Sequence, residues 1–267
     1  MKVKAYAKIN LSLDVLDKRK DNFHNINSVM QQIELYDELS FEKSPDVIVQ
    51  SQFKDDIILR TIMKLKELKS IKEGVTVSVK KNIPVGGGFG GGSADCAATL
   101  NALDELWGLN LGIVELIKIG SDLGADVPFC IMGGSCFVSG KGESFEKMDI
   151  PAMDILIINP GYGISTKDAY MELDEKQYER KSSSLKLKNL DNVKKIAENL
   201  HNDFINIQKD DVKKIIDDVK ANGALGASIT GKGPSVFGIF ENEEMAKKAY
   251  ENLEDKYKFV WMGKTIE

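Results

Sequence analysis

Cysteine is scarce in this sequence, and the three cysteines that occur exclude two kinds of scaffold. Cys96, Cys130 and Cys136 are odd in number and show no Cys-x-x-Cys spacing. A disulfide framework usually needs an even set of cysteines, and a structural zinc site needs closely spaced ligands. The sequence therefore predicts neither a disulfide-bonded scaffold nor a zinc site.

Long apolar runs are also missing. No stretch of the sequence approaches the roughly 20 apolar residues that cross a bilayer. The N-terminal segment MKVKAYAKINLSLDV has charges where a signal peptide has its apolar core. We therefore expect a protein that is not exported, that makes no membrane contact and that works in the cytoplasm.

An excess of positive charge is absent as well. The 267 residues include 36 basic and 41 acidic ones, which gives a formal net charge of −5. Because nucleic-acid-binding domains usually have a basic surface, we expect no nucleic acid partner. The net charge does not exclude a local site for an anionic small molecule. Leucine, isoleucine, valine and phenylalanine recur throughout, so the composition is that of a folded protein.

The order of the predicted strands and helices divides the chain into two parts. Residues 2–17 alternate between polar and apolar, which predicts a strand or a hairpin. From about residue 150 the pattern is strand, helix, strand, strand, helix, strand, with the last helix over 243–253. This order predicts a split βαβ, or ferredoxin-like, arrangement. We therefore place domains at 1–150 and 151–267, since the length favours two modest domains.

A glycine-rich segment, PVGGGFGGGSAD at 84–95, is the most informative part of the sequence. Glycine occupies six of the seven positions 86–92. Without Cβ atoms, successive backbone N–H groups can converge on one anion, and the helix predicted after Ser93 adds the positive end of its dipole. The segment therefore predicts a polyphosphate site for ATP. Its residues are Pro84, Val85, Gly86, Gly87, Gly88, Phe89, Gly90, Gly91, Gly92, Ser93 and Ala94.

Other interpretations of this segment are open. Gly86-x-Gly88-x-x-Gly91 fits the dinucleotide-binding pattern, but a dense glycine run fits it trivially and no βαβ unit begins upstream. A Walker A loop would need a lysine between Gly92 and Ser93. A flexible linker is the remaining alternative, although an alanine-rich helix is predicted to follow directly. Ser93 itself fits a helix N-cap, a Mg²⁺ ligand, or both.

Three separated segments occur in an order typical of one enzyme family. They are AKINL at 7–11, PVGGGFGGGSADCAATL at 84–100 and GASITGKGPSVFG at 226–238. Together they resemble the motifs of the GHMP small-molecule kinases, and the resemblance covers essentially the whole chain. It implies an α+β, two-domain GHMP kinase fold, with a ribosomal-protein-S5-domain-2-like domain at 1–150 and a ferredoxin-like domain at 151–267. It also implies ATP and Mg²⁺ as cofactors and an alcohol as phosphoryl acceptor.

Further segments narrow the resemblance within the family. Residues 21–24 and 28–39, GADVPF at 124–129 and PGYGIST at 160–166 resemble the branch whose acceptor alcohol is linked to cytidine diphosphate. We therefore expect a small-molecule, cytidine-diphosphate-linked alcohol as substrate and a monomer or weak homodimer as the working form. A GHMP kinase of the homoserine or mevalonate type is one alternative, and a non-catalytic nucleotide-binding relative is another.

The resemblance assigns catalytic roles to two residues. Asp126 takes the place of the family's catalytic aspartate, which accepts the proton of the acceptor hydroxyl. Lys8 takes the place of the active-site lysine beside it, where a cation favours the ionised carboxylate and offsets transition-state charge. From the residues alone, Asp126 also fits a helix cap and Lys8 a solvent-facing strand lysine. Asn10 shares the face of Lys8, and we count it among the substrate-binding residues.

The same resemblance assigns base recognition to an aromatic group. His24 is expected to hydrogen-bond the cytosine edge, Phe23 to stack on the ring, and Tyr170 to be the second aromatic of the stack. A structural histidine and a tyrosine packed on a helix face are the alternatives. Asn22 replaces the usual glycine, which is tolerable if the φ angle of Asn22 is positive. Asp56 stands where the family often has asparagine near the adenine, which leaves that adenine contact open.

Overall fold

The structure, a computed structural model, describes residues 1–51, 56–176, 178 and 183–267. The chain forms two compact units. The first unit comprises Met1–Ala7, Leu35–Ile83 and Gly90–Gly133, and the second comprises Lys8–Glu34, Pro84–Phe89 and Gly134–Glu267. The domain limits 1–150 and 151–267 stay a prediction from the sequence.

Strands contribute to both units. Residues 2–17, which alternate in polarity, lie in one strand and do not form a hairpin. In chain order, the strands of the described residues are β1 (Lys2–Lys18), β2 (His24–Ser44), β3 (Val47–Gln50), β4 (Gly74–Lys80), β5 (Ser135–Gly140), β6 (Ser144–Met148), β7 (Asp154–Asn159), β8 (His201–Asn202), β9 (Gly226–Ile229), β10 (Val236–Phe240) and β11 (Phe259–Lys264).

Helices and strands are interspersed along the chain. The helix predicted over 243–253 is confirmed, and among the described residues no helix is long and apolar enough to cross a membrane. In chain order, the helices of the described residues are α1 (Ile57–Lys69), α2 (Gly91–Trp107), α3 (Ile113–Leu123), α4 (Val127–Met132), α5 (Thr166–Glu175), α6 (Ser183–Leu187), α7 (Val193–Glu198), α8 (Asp210–Ala221) and α9 (Glu243–Leu253).

The first unit packs helices on a small sheet. The C-terminal part of β2 pairs antiparallel with β4, and β3 pairs parallel with β4. Because strand side chains alternate between faces, every second residue of β2 joins the core, as Leu39 and Phe41 do. They share one hydrophobic cluster with Ile62 of α1 and Leu100 of α2. This cluster holds α2, which follows the glycine-rich segment, in place.

The second unit contains the predicted ferredoxin-like arrangement. Strands β7, β9, β10 and β11 form an antiparallel sheet in the order β11-β7-β10-β9. Helices α8 and α9 bury Val219 and Ala249 in one cluster with Leu156 and Val236 of the sheet. The element order predicted from the sequence is therefore confirmed for this sheet.

The strands β5 and β6 were not predicted. β5 pairs antiparallel with the N-terminal part of β2, and β6 pairs antiparallel with β5. The sequence of β5, SCFVSG, lies between glycines and is too short for a clear period of two. Its identity as a strand depends on pairing with a partner more than a hundred residues earlier in the chain.

Candidate active site

The helix that follows the glycine-rich segment begins within the segment itself. Gly90 is the N-cap of α2, with φ 68° and ψ 21°, and the first helical hydrogen bond joins the N–H of Ala94 to the carbonyl oxygen of Gly90 at 2.8 Å. The N–H groups of Gly91, Gly92 and Ser93 therefore precede the helical ladder, at the positive end of a 17-residue helix. Aligned donors at a helix N-terminus fit a phosphate group.

Ser93 is the third residue of α2, so the N-cap interpretation of this serine is wrong. The cap position belongs to Gly90, whose left-handed backbone favours glycine. The half-buried Ser93 side chain lies near the turn before α4: its Oγ atom is 3.7 Å from the position that a Cβ atom on Gly124 would take. A hydroxyl group therefore lies at the start of α2, beside the turn that leads to Asp126.

The first half of the glycine-rich segment packs against the third sequence motif. At Gly88, φ is 89° and a Cβ atom would lie 2.1 Å from the carbonyl oxygen of Thr230. At Gly86, φ is 71° and a Cβ atom would lie 3.1 Å from the Cα atom of Gly163. The Thr230 hydroxyl also donates to the carbonyl oxygen of Gly88 at 3.2 Å. This half of the segment is a packed element, so the flexible-linker interpretation is wrong.

Lys8 is buried in the second unit, with 3 % of its surface exposed, so the interpretation as a solvent-facing lysine is wrong. Its Nζ atom donates to the Oδ1 atom of Asn10 at 2.6 Å and to the carbonyl oxygen of Gly88 at 2.9 Å. A buried ammonium is costly unless it is hydrogen-bonded, and these two oxygens meet that need in part. Lys8 is thus tied directly to the glycine-rich segment.

Asn10 connects Lys8 to the third motif. Its Oδ1 atom accepts from the Nζ atom of Lys8 and from the backbone N–H of Gly231, the latter at 2.9 Å. Its Nδ2 atom donates to the Oγ atom of Ser28 at 2.8 Å. The side chain amide is therefore engaged with protein atoms, and the substrate contact expected of Asn10 stays a prediction.

His24 and Tyr170 come together in the second unit. The rings stack at 4.8 Å between centroids, with 18° between their planes. Tyr170 in turn places its ring edge-on to Phe204 at 4.9 Å. The Nε2 atom of His24 lies 2.7 Å from the Oδ1 atom of Asp174, and the Nζ atom of Lys18 donates to the Oδ2 atom of the same carboxylate at 2.7 Å. The imidazole therefore has a fixed plane and a fixed rotation within that plane.

Phe23 precedes this pair and has a different environment. Asn22 has φ 66°, which meets the condition under which asparagine can replace the usual glycine, and Phe23 is 60 % exposed. The Nζ atom of Lys141 lies 5.6 Å from the centroid of the Phe23 ring. An exposed aromatic ring next to a buried histidine suits the stacking of a planar base. Covering the exposed face of the ring would bury apolar surface, which favours binding.

Asp126 occupies the N-cap position of α4, as the sequence predicts. Its side chain makes no capping hydrogen bond to the helix, although its carbonyl oxygen accepts from the N–H of Cys130 at 3.1 Å. The residue is half-buried. The helix-cap interpretation is therefore confirmed for the position of Asp126, but the carboxylate does not make the capping hydrogen bond.

Asp56 has a structural role at the start of α1. Its carboxylate accepts from the N–H of Ile58 at 2.7 Å, which is the usual N-cap hydrogen bond. An aspartate performs this role as well as an asparagine does. The structure thus gives a physical reason for an acidic residue at this position.

The sequence patterns did not predict a buried ionic group in the first unit. The Nζ atom of Lys81 donates to carboxylate oxygens of both Asp37 and Asp95, to the latter at 2.6 Å. The second oxygen of Asp37 accepts from the N–H groups of Asn82 and Ile83 at 2.6 and 2.9 Å. These contacts join β2, the residues just before the glycine-rich segment and the second turn of α2. In the sequence, the one sign of this ionic group is Asp95, a carboxylate inside the apolar run ADCAATL.

Asp95 is the less well satisfied of the two carboxylates. Its Oδ1 atom is buried and has no hydrogen-bond partner among the described residues. Burial raises the pKa of Asp95 to about 7, against the opposing effect of Lys81. Two carboxylates that share one ammonium compete for it, and Asp37 has the additional backbone donors.

Comparison with known families decides the class of protein. The family model of the GHMP kinases N terminal domain matches residues 56–134, and that of the GHMP kinases C terminal matches residues 182–258. The two matches together cover more than half of the chain. The chain belongs to the GHMP kinase family. Membership in this family makes the chain a phosphotransferase that uses ATP, and the predicted two-domain α+β GHMP kinase fold is confirmed.

Known GHMP kinases match this chain over its full length. The 4-diphosphocytidyl-2-C-methyl-D-erythritol kinase of Thermoanaerobacter pseudethanolicus is 44% identical over 279 residues, which cover 100% of this chain and 96% of that protein. A crystal structure of 4-(cytidine 5'-diphospho)-2C-methyl-D-erythritol kinase has a TM-score of 0.85 at 26% identity and covers 100% of both chains. Homoserine kinase from Cytophaga hutchinsonii shares the fold, with a TM-score of 0.75 at 20% identity over 100% of this chain and 94% of that one.

Proposed function

We propose that this GHMP kinase transfers the γ-phosphoryl group of ATP to the 2-hydroxyl group of 4-diphosphocytidyl-2-C-methyl-D-erythritol. The products are ADP and the 2-phosphate, an intermediate of the non-mevalonate isoprenoid pathway. The enzyme works on this small molecule in the cytoplasm, as a monomer or weak homodimer and without nucleic acid. The observation that carries the choice of acceptor is the group of Phe23, His24 and Tyr170, because a homoserine or mevalonate acceptor has no base to stack on it.

The start of α2 is the proposed site of the ATP phosphates. The N–H groups of Gly91, Gly92 and Ser93 supply hydrogen bonds and the dipole of the 17-residue helix supplies positive potential. Among the described residues, a Cβ atom on Gly92 would meet only the Cγ2 atom of Ile57, at 3.9 Å, so these residues do not require glycine there. A phosphate that approaches the backbone closely gives a reason for glycine at this position.

Phosphoryl transfer then needs a proton acceptor and a positive charge. The acceptor oxygen bonds to the γ-phosphorus while the bond to the β–γ bridging oxygen breaks, and ADP leaves with that electron pair. Asp126 takes the proton of the acceptor hydroxyl, a role that a carboxylate performs when it lies within hydrogen-bond reach of that hydroxyl. Lys8 offsets negative charge on the transferred group, which a buried ammonium does more strongly than a solvated one.

Magnesium is the ion expected with ATP. Among the described residues, no three histidine, cysteine, aspartate or glutamate side chains are grouped so that they could hold a metal ion. Mg²⁺ that is coordinated by the phosphates of a nucleotide needs few protein ligands, because it keeps several water ligands. The Ser93 hydroxyl at the start of α2 fits that limited donor set. The bound ion would neutralise phosphate charge.

A panel of acceptors tests the proposed function. The purified protein is mixed with ATP and Mg²⁺ and with the cytidylated methylerythritol, homoserine or mevalonate, and ADP release is followed in a coupled assay. We expect ADP release with the cytidylated alcohol only, and ³¹P NMR should show a new phosphomonoester on that product. Turnover with homoserine or mevalonate in place of the cytidylated alcohol would contradict the proposal, and so would the absence of turnover with every acceptor.

A further inference from the structure

The carboxylate of Asp174 contacts the Nε2 atom of His24. In the proposed site, the other ring nitrogen, Nδ1, bonds the ligand. The Oδ1 atom of Asp174 lies 2.7 Å from Nε2 of His24, while Lys18 donates to Oδ2. Desolvation raises the pKa of Asp174, but hydrogen bonds from Lys18 and His24 outweigh it, and the pKa lies below its usual range. Asp174 is therefore an ionised carboxylate, which only accepts hydrogen bonds.

This contact determines where the imidazole carries its hydrogen. Because the partner of Nε2 is an acceptor, Nε2 must be protonated, and the tautomer with hydrogen on Nδ1 alone is excluded. The stack with Tyr170 fixes the plane of the ring, and the hydrogen bond to Asp174 prevents the ring from turning over. In the neutral imidazole, the Nδ1 atom of His24 is then left as a hydrogen-bond acceptor for a ligand.

We propose that Asp174 is a positioning residue that fixes the hydrogen-bonding state of His24 and thereby lets the site distinguish cytosine from uracil. The inference rests on the proposed function, in which His24 bonds the base edge. Cytosine has an acceptor at ring position 3 and an amino donor at position 4, whereas uracil has the reverse pattern. A histidine with one fixed state matches only one of these patterns. A histidine that exchanges its proton between the two nitrogens matches both.

The test compares Asp174→Asn with the wild-type protein. Asparagine has nearly the same shape, but its amide can turn its NH₂ group toward Nε2 and so permit the other tautomer. Binding of CDP and of UDP is measured by calorimetry. We expect the preference of the wild-type protein for CDP to fall about tenfold or more in the variant, since one well-placed hydrogen bond is worth about that factor. The KM for ATP should not change.

Two further measurements separate a positioning role from a structural one. The chain has two histidines, so ¹⁵N NMR of labelled protein, with His201→Gln for assignment, reports the protonated nitrogen of His24 directly. We expect an Nε2–H signal in the wild-type protein and a mixture in Asp174→Asn. Glu172→Gln, an exposed acid on the same helix, is the matched control and should match the wild-type protein in both readouts.

The outcomes distinguish this inference from the proposed function. If the wild-type protein binds CDP selectively and Asp174→Asn keeps both the Nε2–H signal and the full preference, the role of Asp174 is wrong and the proposed function stands. If the wild-type protein does not bind CDP, the proposed function fails and the inference fails with it. Lys18→Met serves as a second variant that leaves Asp174 in place, and it should reduce the preference for CDP by a smaller factor.

Discussion

The Nζ atom of Lys8 lies 2.6 Å from the Oδ1 atom of Asn10, which also accepts the backbone N–H of Gly231. One amide oxygen thus joins the first sequence motif to the third. The same lysine reaches the carbonyl oxygen of Gly88 in the second motif. Three segments that are far apart in the sequence therefore meet around one ammonium group, and this meeting point gives the first prediction.

Replacing Lys8 with methionine should lower kcat by about a hundredfold or more, because the proposed mechanism uses its positive charge to offset charge on the transferred phosphoryl group. ATP should still bind, since the N–H groups at the start of α2 are unchanged. Steady-state kinetics and calorimetric ATP titration measure the two effects. Lys4→Met, at an exposed position of the same strand, is the control and should keep wild-type kcat. A Lys8→Met enzyme that is folded and fully active would remove Lys8 from the mechanism.

Replacing Gly92 with alanine should weaken ATP binding by about tenfold or more, because the methyl group would occupy space that a phosphate needs. Stability should hold or rise by up to about 1 kcal/mol, since alanine favours a helix over glycine. Calorimetry and urea unfolding measure these quantities. Gly112→Ala is the control, because a Cβ atom there meets no atom of the described part of the chain within 4 Å.

Gly92 is a sharper test than its neighbours. Gly90 has φ 68°, and a Cβ atom on Gly91 would lie 3.1 Å from the Cγ2 atom of Ile83, so substitutions at either position also strain the protein. At Gly92, equal ATP affinity in the alanine variant and the wild-type protein would show that the phosphates bind elsewhere.

Replacing Asp126 with asparagine should lower turnover by about two to four orders of magnitude, because the amide cannot take the proton of the acceptor hydroxyl. Asparagine has nearly the same shape as aspartate, so stability should stay close to wild type. Rapid-quench kinetics and thermal unfolding measure the two effects. Asp122→Asn, at an exposed aspartate of α3, is the control. Unchanged turnover in Asp126→Asn would assign proton transfer to another group.

Asp95 should make stability depend on pH. Its pKa is raised to about 7 in the folded protein, above the value of about 3.9 in an unfolded chain, so the folded state holds the proton more tightly between these values. Its contribution to the free energy of unfolding is therefore fully present at low pH and is lost as pH rises toward 7. Relative to Asp95→Asn, the wild-type protein should lose about 2 kcal/mol between pH 5 and pH 8.

Urea unfolding at the two pH values measures this difference. Glu105→Gln, an exposed acid on the same helix, is the control and should follow the wild-type curve. A difference between the wild-type protein and Asp95→Asn that is the same at pH 5 and pH 8 would mean that Asp95 is ionised throughout, with Lys81 fully compensating its burial.

Local patterns predicted some features of the fold and the site and missed others for physical reasons. Helix α9 depends on residues that are neighbours in the sequence, and it was predictable. The sequence placed the start of α2 after Ser93, because serine favours N-cap positions in general. The N-cap is Gly90, whose left-handed backbone conformation favours glycine.

Long-range contacts were beyond the sequence patterns. The ion pairs of Lys81 with Asp37 and Asp95 join residues that are 44 and 14 positions apart, and no local spacing specifies them. The same holds for His24 and Asp174, which are 150 positions apart. The sequence predicted His24 as a base-recognising residue. The contact of its Nε2 atom with the Asp174 carboxylate is seen only in the folded structure.

A crystal structure with a non-hydrolysable ATP analogue and the cytidylated methylerythritol tests the account most directly. The account predicts phosphates against the N–H groups of Gly91, Gly92 and Ser93, the base against His24, and the 2-hydroxyl group beside Asp126. Phosphates bound away from the start of α2, or a cytosine bound elsewhere than at His24, would contradict it.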